Sequence, residues 1–126
     1  MKKILVLFFI ALLLVGCSPK QLSSSSATVL FKANGLKFYD KGFITKYTDK
    51  VNLTIFSFGK IVLSLDVYED RVCESTFKCL HAKEFNTKYL SSEYRDDFLY
   101  KLLLQDSINF KDKNNGIRIK LIKTKG

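Results

Sequence analysis

The sequence predicts an α+β domain: an antiparallel β-meander of about five strands, two helices packed on it, and a C-terminal strand. Three observations carry this expectation. Apolar and polar residues alternate over 51–55, 61–67 and 117–121, the period of two that buries one face of a strand. The apolar spacing changes after Arg71, where Phe85 and Tyr89 stand four apart, and Tyr94, Phe98, Leu99, Leu102 and Leu103 form a helical stripe. Short turn sequences join the runs of the first half, which is how an antiparallel meander is connected.

In chain order, 28–33 and 36–39 flank Asn34-Gly35, the strongest short hairpin signal, because both central residues of a type I′ turn need φ > 0. Asp40-Lys41-Gly42 reads as a second turn, leading into a strand over 43–47. Thr48-Asp49-Lys50 breaks the chain again, and Phe58-Gly59-Lys60 turns it between the two alternating runs. Phe56 and Phe58 share parity with Asn52 and Thr54, away from Val51, Leu53 and Ile55, so the sheet is expected to be apolar on both sides near that turn. Residues 82–90 read as a short helix. Ser91 or Ser92 can cap the next one by accepting from its free N–H groups, with Glu93 in the first turn and an Asp97–Lys101 pair four residues apart. Asn114-Asn115-Gly116 turns into the final strand.

The chain has 126 residues, 47% of them hydrophobic and 13% aromatic, so it is long enough for one domain and too apolar for a disordered one. It holds 21 Lys and Arg against 12 Asp and Glu, a formal charge of +9, with a single His and no Trp. No phosphate loop, Gly-x-Ser-x-Gly or His-Glu-x-x-His motif occurs. No catalytic residue, metal site or cofactor is expected. Glu69-Asp70 and Asp96-Asp97 are adjacent carboxylates, more simply read as solvated charge than as acid–base dyads.

The N-terminus directs where the protein goes. Met1-Lys2-Lys3 is a basic start, and residues 4–15 are an unbroken apolar run, shorter than the roughly 20 residues a spanning helix needs. The run ends in Leu14-Val15-Gly16-Cys17, and here the chain resembles bacterial lipoprotein precursors. The resemblance implies a diacylglyceryl group on the Cys17 thiol, cleavage before it, and a mature chain beginning at Cys17. Two or three acyl chains make such attachment stable. In that family an Asp after the Cys often retains the protein in the inner membrane. Ser18 stands there instead, which favours the outer membrane, with the domain in the periplasm or exposed on the cell surface. The expected organisation is a signal peptide over 1–16, a lipidated Cys with a serine-rich tether over 17–26, and one globular domain over 27–126. The tether's reach is about 15–18 Å.

An exported protein of this kind meets no nucleic acid, so the basic excess looks to phospholipid heads, lipopolysaccharide phosphates or acidic partners. The excess concentrates near the end: Lys111, Lys113, Arg118, Lys120, Lys123 and Lys125, against Asp112 alone. These are candidate anion-facing residues; the plainer reading is a solubilising face or a charged edge that blocks sheet-to-sheet pairing.

Cys73 and Cys79 remain once Cys17 is lipidated, an even pair in an oxidising compartment, and are read as a disulfide. Zinc held by Cys73, Cys79 and His81 with Glu74 or Glu84, or a Cys79/His81 catalytic pair, are the sharper alternatives, but Cys-x5-Cys-x-His is not a usual ligand spacing. The lipidated sheet followed by helices also resembles, in architecture and without an alignable motif, lipoprotein carriers of the LolA/LolB type. That likeness implies a half-open barrel whose helical lid shelters acyl chains. The leading functional expectation is a non-enzymatic envelope lipoprotein that binds another envelope component, protein or anionic glycolipid. The alternatives are a lipid or lipoprotein carrier with a hydrophobic groove, and, behind both, a small hydrolase or metal protein.

Overall fold

Alternation sets the faces, and the ladder sets the order. In a computed structural model, which describes residues 21–75 and 78–124, the chain runs β1 (Gln21–Ala33), β2 (Leu36–Tyr47), β3 (Val51–Ser57), β4 (Lys60–Val67), β5 (Arg71–Ser75) and β6 (Lys78–His81). Helices α1 (Ala82–Tyr89) and α2 (Phe98–Leu104) follow, then β7 (Ile108–Asp112) and β8 (Ile117–Lys123). All eight strands form one antiparallel sheet in the order β6-β5-β4-β3-β2-β1-β8-β7.

One face of the sheet carries the core. Val29 and Phe31 of β1, Val51, Leu53 and Ile55 of β3, Leu65 and Val67 of β4, and Ile117 and Ile119 of β8 are almost wholly buried. Phe85 of α1 and Leu99, Leu102 and Leu103 of α2 join the same cluster. Each such side chain contributes about 1.5–3 kcal/mol by leaving water. Tyr94, Phe98 and Phe110 pack their rings 4.5–5.9 Å apart where α2 meets β7.

The broad α+β class holds, but the five-strand meander with a single C-terminal strand does not: the described residues are mostly β, with eight strands and two short helices among them. The supposed turn at Asp40-Lys41-Gly42 lies inside one continuous strand, β2. Gly42 is needed there for close approach, because a Cβ at this position would drive into the Thr54 backbone carbonyl and the Val29 side chain. Three further strands, β5, β6 and β7, are only four or five residues long, too short to show a decisive period.

The first strand also begins earlier than expected. Gln21–Ser26, read as tether, belongs to β1 and pairs with the end of β2, Ser24 opposite Thr45 and Ser26 opposite Phe43. The Ser24 and Thr45 hydroxyls are 3.1 Å apart, and those of Ser26 and Thr124 are 2.6 Å apart. Serines have no apolar period to announce a strand, so here the pairing partners impose it.

Two local expectations change for tertiary reasons. Asn34-Gly35 is the two-residue turn expected, yet only Gly35 has positive φ (75°). The Asn34 backbone N–H donates to Tyr89 O (2.8 Å) and its side-chain amide to Leu90 O (3.2 Å), so this turn satisfies carbonyls at the end of α1. The second helix starts at Phe98, several residues after Ser91 and Ser92. Ser91 Oγ accepts instead from the Glu93 N–H within the linking turns.

Candidate binding cleft and basic sheet face

Cys73 and Cys79 stand directly opposite each other in the β5–β6 ladder and are joined by a disulfide, with their Cα atoms 4.0 Å apart. Neither thiol is then available as a zinc ligand or nucleophile. His81 is exposed, sits opposite Arg71 at the end of β6, and precedes α1 without capping it through its side chain.

The disulfide-tied hairpin forms one wall of an apolar cleft. Its other walls are α1 and the inner side of β4, and its volume is about 310 Å³. Leu63, Leu65, Val72, Leu80, Phe85 and Tyr89 line it, and the exposed Glu74, Lys78 and Lys88 stand at its edge. Sequence spacing explains the helical wall: Phe85 and Tyr89 at i and i+4 point the same way, their ring centroids 5.0 Å apart.

A wide polar groove at another edge brings His81 near Asp49, Glu69, Asp70 and Asp96. Asp70 pairs with Arg71 (3.1 Å), and Asp97 with Lys101 (3.1 Å), whose hydrogen bond holds the Asp97 carboxyl below the usual range. Both adjacent-carboxylate pairs therefore include a member engaged in an ion pair. Among the described residues no group of three or more His, Cys, Asp or Glu is placed to hold a metal ion.

The face of the sheet turned away from the helices is basic. Lys111, Arg118 and Lys120 lie on it, and strand pairing adds Lys32, Lys37 and Lys41, which the sequence reading passed over. Lys113 sits in the β7–β8 turn, Lys123 ends β8 opposite Ala27, and Lys125 lies outside the described residues. Asp112, the one acid of that C-terminal run, is turned away from this group. It accepts hydrogen bonds from the Tyr94 hydroxyl and from the Asn115 amide (2.7 Å). These bonds hold the Asp112 carboxyl low, the Asn115 bond foremost, while burial first and then Asp112 push the Tyr94 phenol well up.

Apolar side chains accompany the cations on that face. Tyr39 and Ile122 are exposed, and Phe43 stacks edge-on against Phe56 at 5.6 Å. At the β3–β4 tip Phe58 is fully exposed and adopts φ 52°, with Gly59 at 76°. That is the pair of positive φ values a type I′ turn requires, found here rather than at Asn34-Gly35.

The expected signal peptide (residues 1–16) and Cys17 lie outside the described residues. No helix among the described residues is long and apolar enough to cross a membrane. No protein-family model matches this chain, and no curated protein matches it.

Proposed function

We propose that this chain is a lipid-anchored, non-enzymatic envelope protein whose folded domain binds an apolar segment of another envelope component. The observation that carries the reading is the cleft between α1, β4 and the disulfide hairpin: about 310 Å³, lined by leucine, valine and aromatic side chains, with lysines at its edge. Basic start, short apolar core and Leu14-Val15-Gly16-Cys17 support attachment at Cys17, and Ser18 supports the outer membrane. The cleft sits at the lower end of the range for ligand sites, and α1 and α2 cover much of the inner face. This favours one inserted segment over the several acyl chains that a lipoprotein carrier would shelter.

Native mass spectrometry of the chain from Ser18 onward, exported to the periplasm, tests the reading. The expected result is a co-purifying envelope component lost in Leu80→Glu, which puts a carboxylate into the cleft wall while the melting temperature stays near that of the parent. A co-purifying lipid or lipoprotein would instead select the carrier. A bare monomer that takes up no acyl lipid or peptide from envelope extracts would overturn both.

A further inference from the structure

We infer that the outer sheet face of β7, β8, β1 and β2 is a docking surface for an anionic phospholipid bilayer. Antiparallel pairing sets Lys111 opposite Arg118, Arg118 opposite Lys32, and Lys32 opposite Lys37, an unbroken row of four cations across four neighbouring strands. At about 4.8 Å per strand the row spans roughly 14 Å. Like charges placed directly opposite one another destabilise a sheet, and none of these four makes an ion pair with a carboxylate among the described residues. Arg118 Nε is buried and has no acceptor among the described residues. Folding alone has no use for such a row; an external anionic surface relieves it.

The next rows supply the rest of an interfacial surface. Lys120 faces Leu30, which faces Tyr39; Ile122 faces Thr28, which faces Lys41. Arg118, Lys120, Leu30, Tyr39 and Ile122 surround a shallow depression of about 210 Å³. Tyr39 is 70% and Ile122 53% exposed, so both can enter the head-group layer without unfolding anything. Cations flanking a tyrosine and aliphatic side chains match an anionic lipid interface, where aromatic rings settle and lysines reach phosphate. A purely polar anion leaves the apolar members unused.

The anchor proposed above fixes the orientation, and for that point alone the inference rests on it. Cys17 lies four residues before Gln21, so β1 begins within about 14 Å of the lipid. Lys32 is eleven residues further along the strand, roughly 36 Å away. Both ends of β1 reach one bilayer only when the strand lies along it, with this face downward and the cleft side facing away.

Vesicle co-sedimentation of the chain from Ser18 onward, which contains every core residue, tests the surface without the anchor. Binding is expected to phosphatidylcholine vesicles that contain phosphatidylglycerol and not to phosphatidylcholine alone, and to weaken as salt rises. Each neutralised cation should lower partitioning about fivefold. Lys32→Gln/Lys37→Gln should then lose roughly 25-fold, whereas Lys83→Gln/Arg95→Gln, with the same net charge, loses little. Because the chain has no Trp, Tyr39→Trp gives a single reporter whose emission should shift to the blue on the anionic vesicles. Equal losses in the two double variants, no blue shift, or equal binding to both vesicle types would overturn the inference. Mass spectrometry of the Cys17 peptide from membranes reads the anchor separately: an unmodified Cys17 beside intact vesicle binding removes the anchor and keeps the docking face.

Discussion

Phe58 is disfavoured twice over by folding. Its side chain is 103% exposed, so it gains nothing from burial, and its φ of 52° places a bulky side chain in the left-handed region, at a cost of about 1–2 kcal/mol. Asn tolerates that region because its short side chain hydrogen-bonds locally. Phe58→Asn should therefore stabilise the fold by about 1 kcal/mol, read as a higher urea midpoint at unchanged slope. A lower midpoint would show that the ring packs against something in solution. Such a residue stands out against its neighbours: Asn34 is held by hydrogen bonds to the end of α1, and Gly42 by the closeness of β3. Phe58 has no comparable structural reason, which fits a surface that meets another molecule.

Among the elements, the β5–β6 hairpin depends most on covalent help. It is two strands of five and four residues at the edge of the sheet, and among the described residues its ladder to β4 is short, Asp66 opposite Cys73 and Val67 opposite Val72. So short a ladder is little to hold an edge hairpin in water. The Cys73–Cys79 bridge closes a loop of seven residues, counting both cysteines. That is worth about 2–3 kcal/mol in the chain-entropy account. Replacing both cysteines by serine should lower stability by about that amount, and dithiothreitol should reproduce the loss in the parent but leave the double variant unchanged. Coincident melting curves with and without reductant would contradict it. Because the hairpin forms one wall of the cleft, the same variant should also bind the proposed envelope component more weakly than the parent.

At the level of the whole molecule, stability should fall at both ends of the pH range. Asp97 and Asp112 are held below the ordinary carboxylate range, so their contribution is complete above about pH 4, the unfolded value, and disappears as pH falls through their lower folded values. Tyr94 is shifted the other way. Its contribution is complete below about pH 10 and is lost as pH rises beyond that through its raised folded value. Tyr94→Phe should remove the alkaline loss from a pH series of melting temperatures. At neutral pH the same change should lower the melting temperature, because it removes the hydrogen bond to the Asp112 carboxylate. A Tyr94→Phe profile parallel to the parent above pH 10 would rule out this assignment. What could be read directly from the chain follows from local physics. The alternations at 51–55 and 117–121 became β3 and β8, and that at 61–67 became β4, because a period of two fixes which face is buried; only Ile61 breaks it, 61% exposed where the β3–β4 register shifts beside Phe56. Cys73 and Cys79 form the bridge expected of an even pair. Even Lys32 against Lys37 was legible, since a two-residue turn at Asn34-Gly35 forces that pairing. Position along the chain could not reveal the rest. Ser23–Ser26 become strand, and Asp40-Lys41-Gly42 runs straight through, because neighbouring strands supply hydrogen bonds and contacts that outweigh weak local preference. Arg118 meets Lys32 only once β8 closes against β1 across some 86 positions of sequence. Pairing between distant segments is a choice among whole folds, governed by which arrangement buries the two apolar faces together, and no local pattern encodes it.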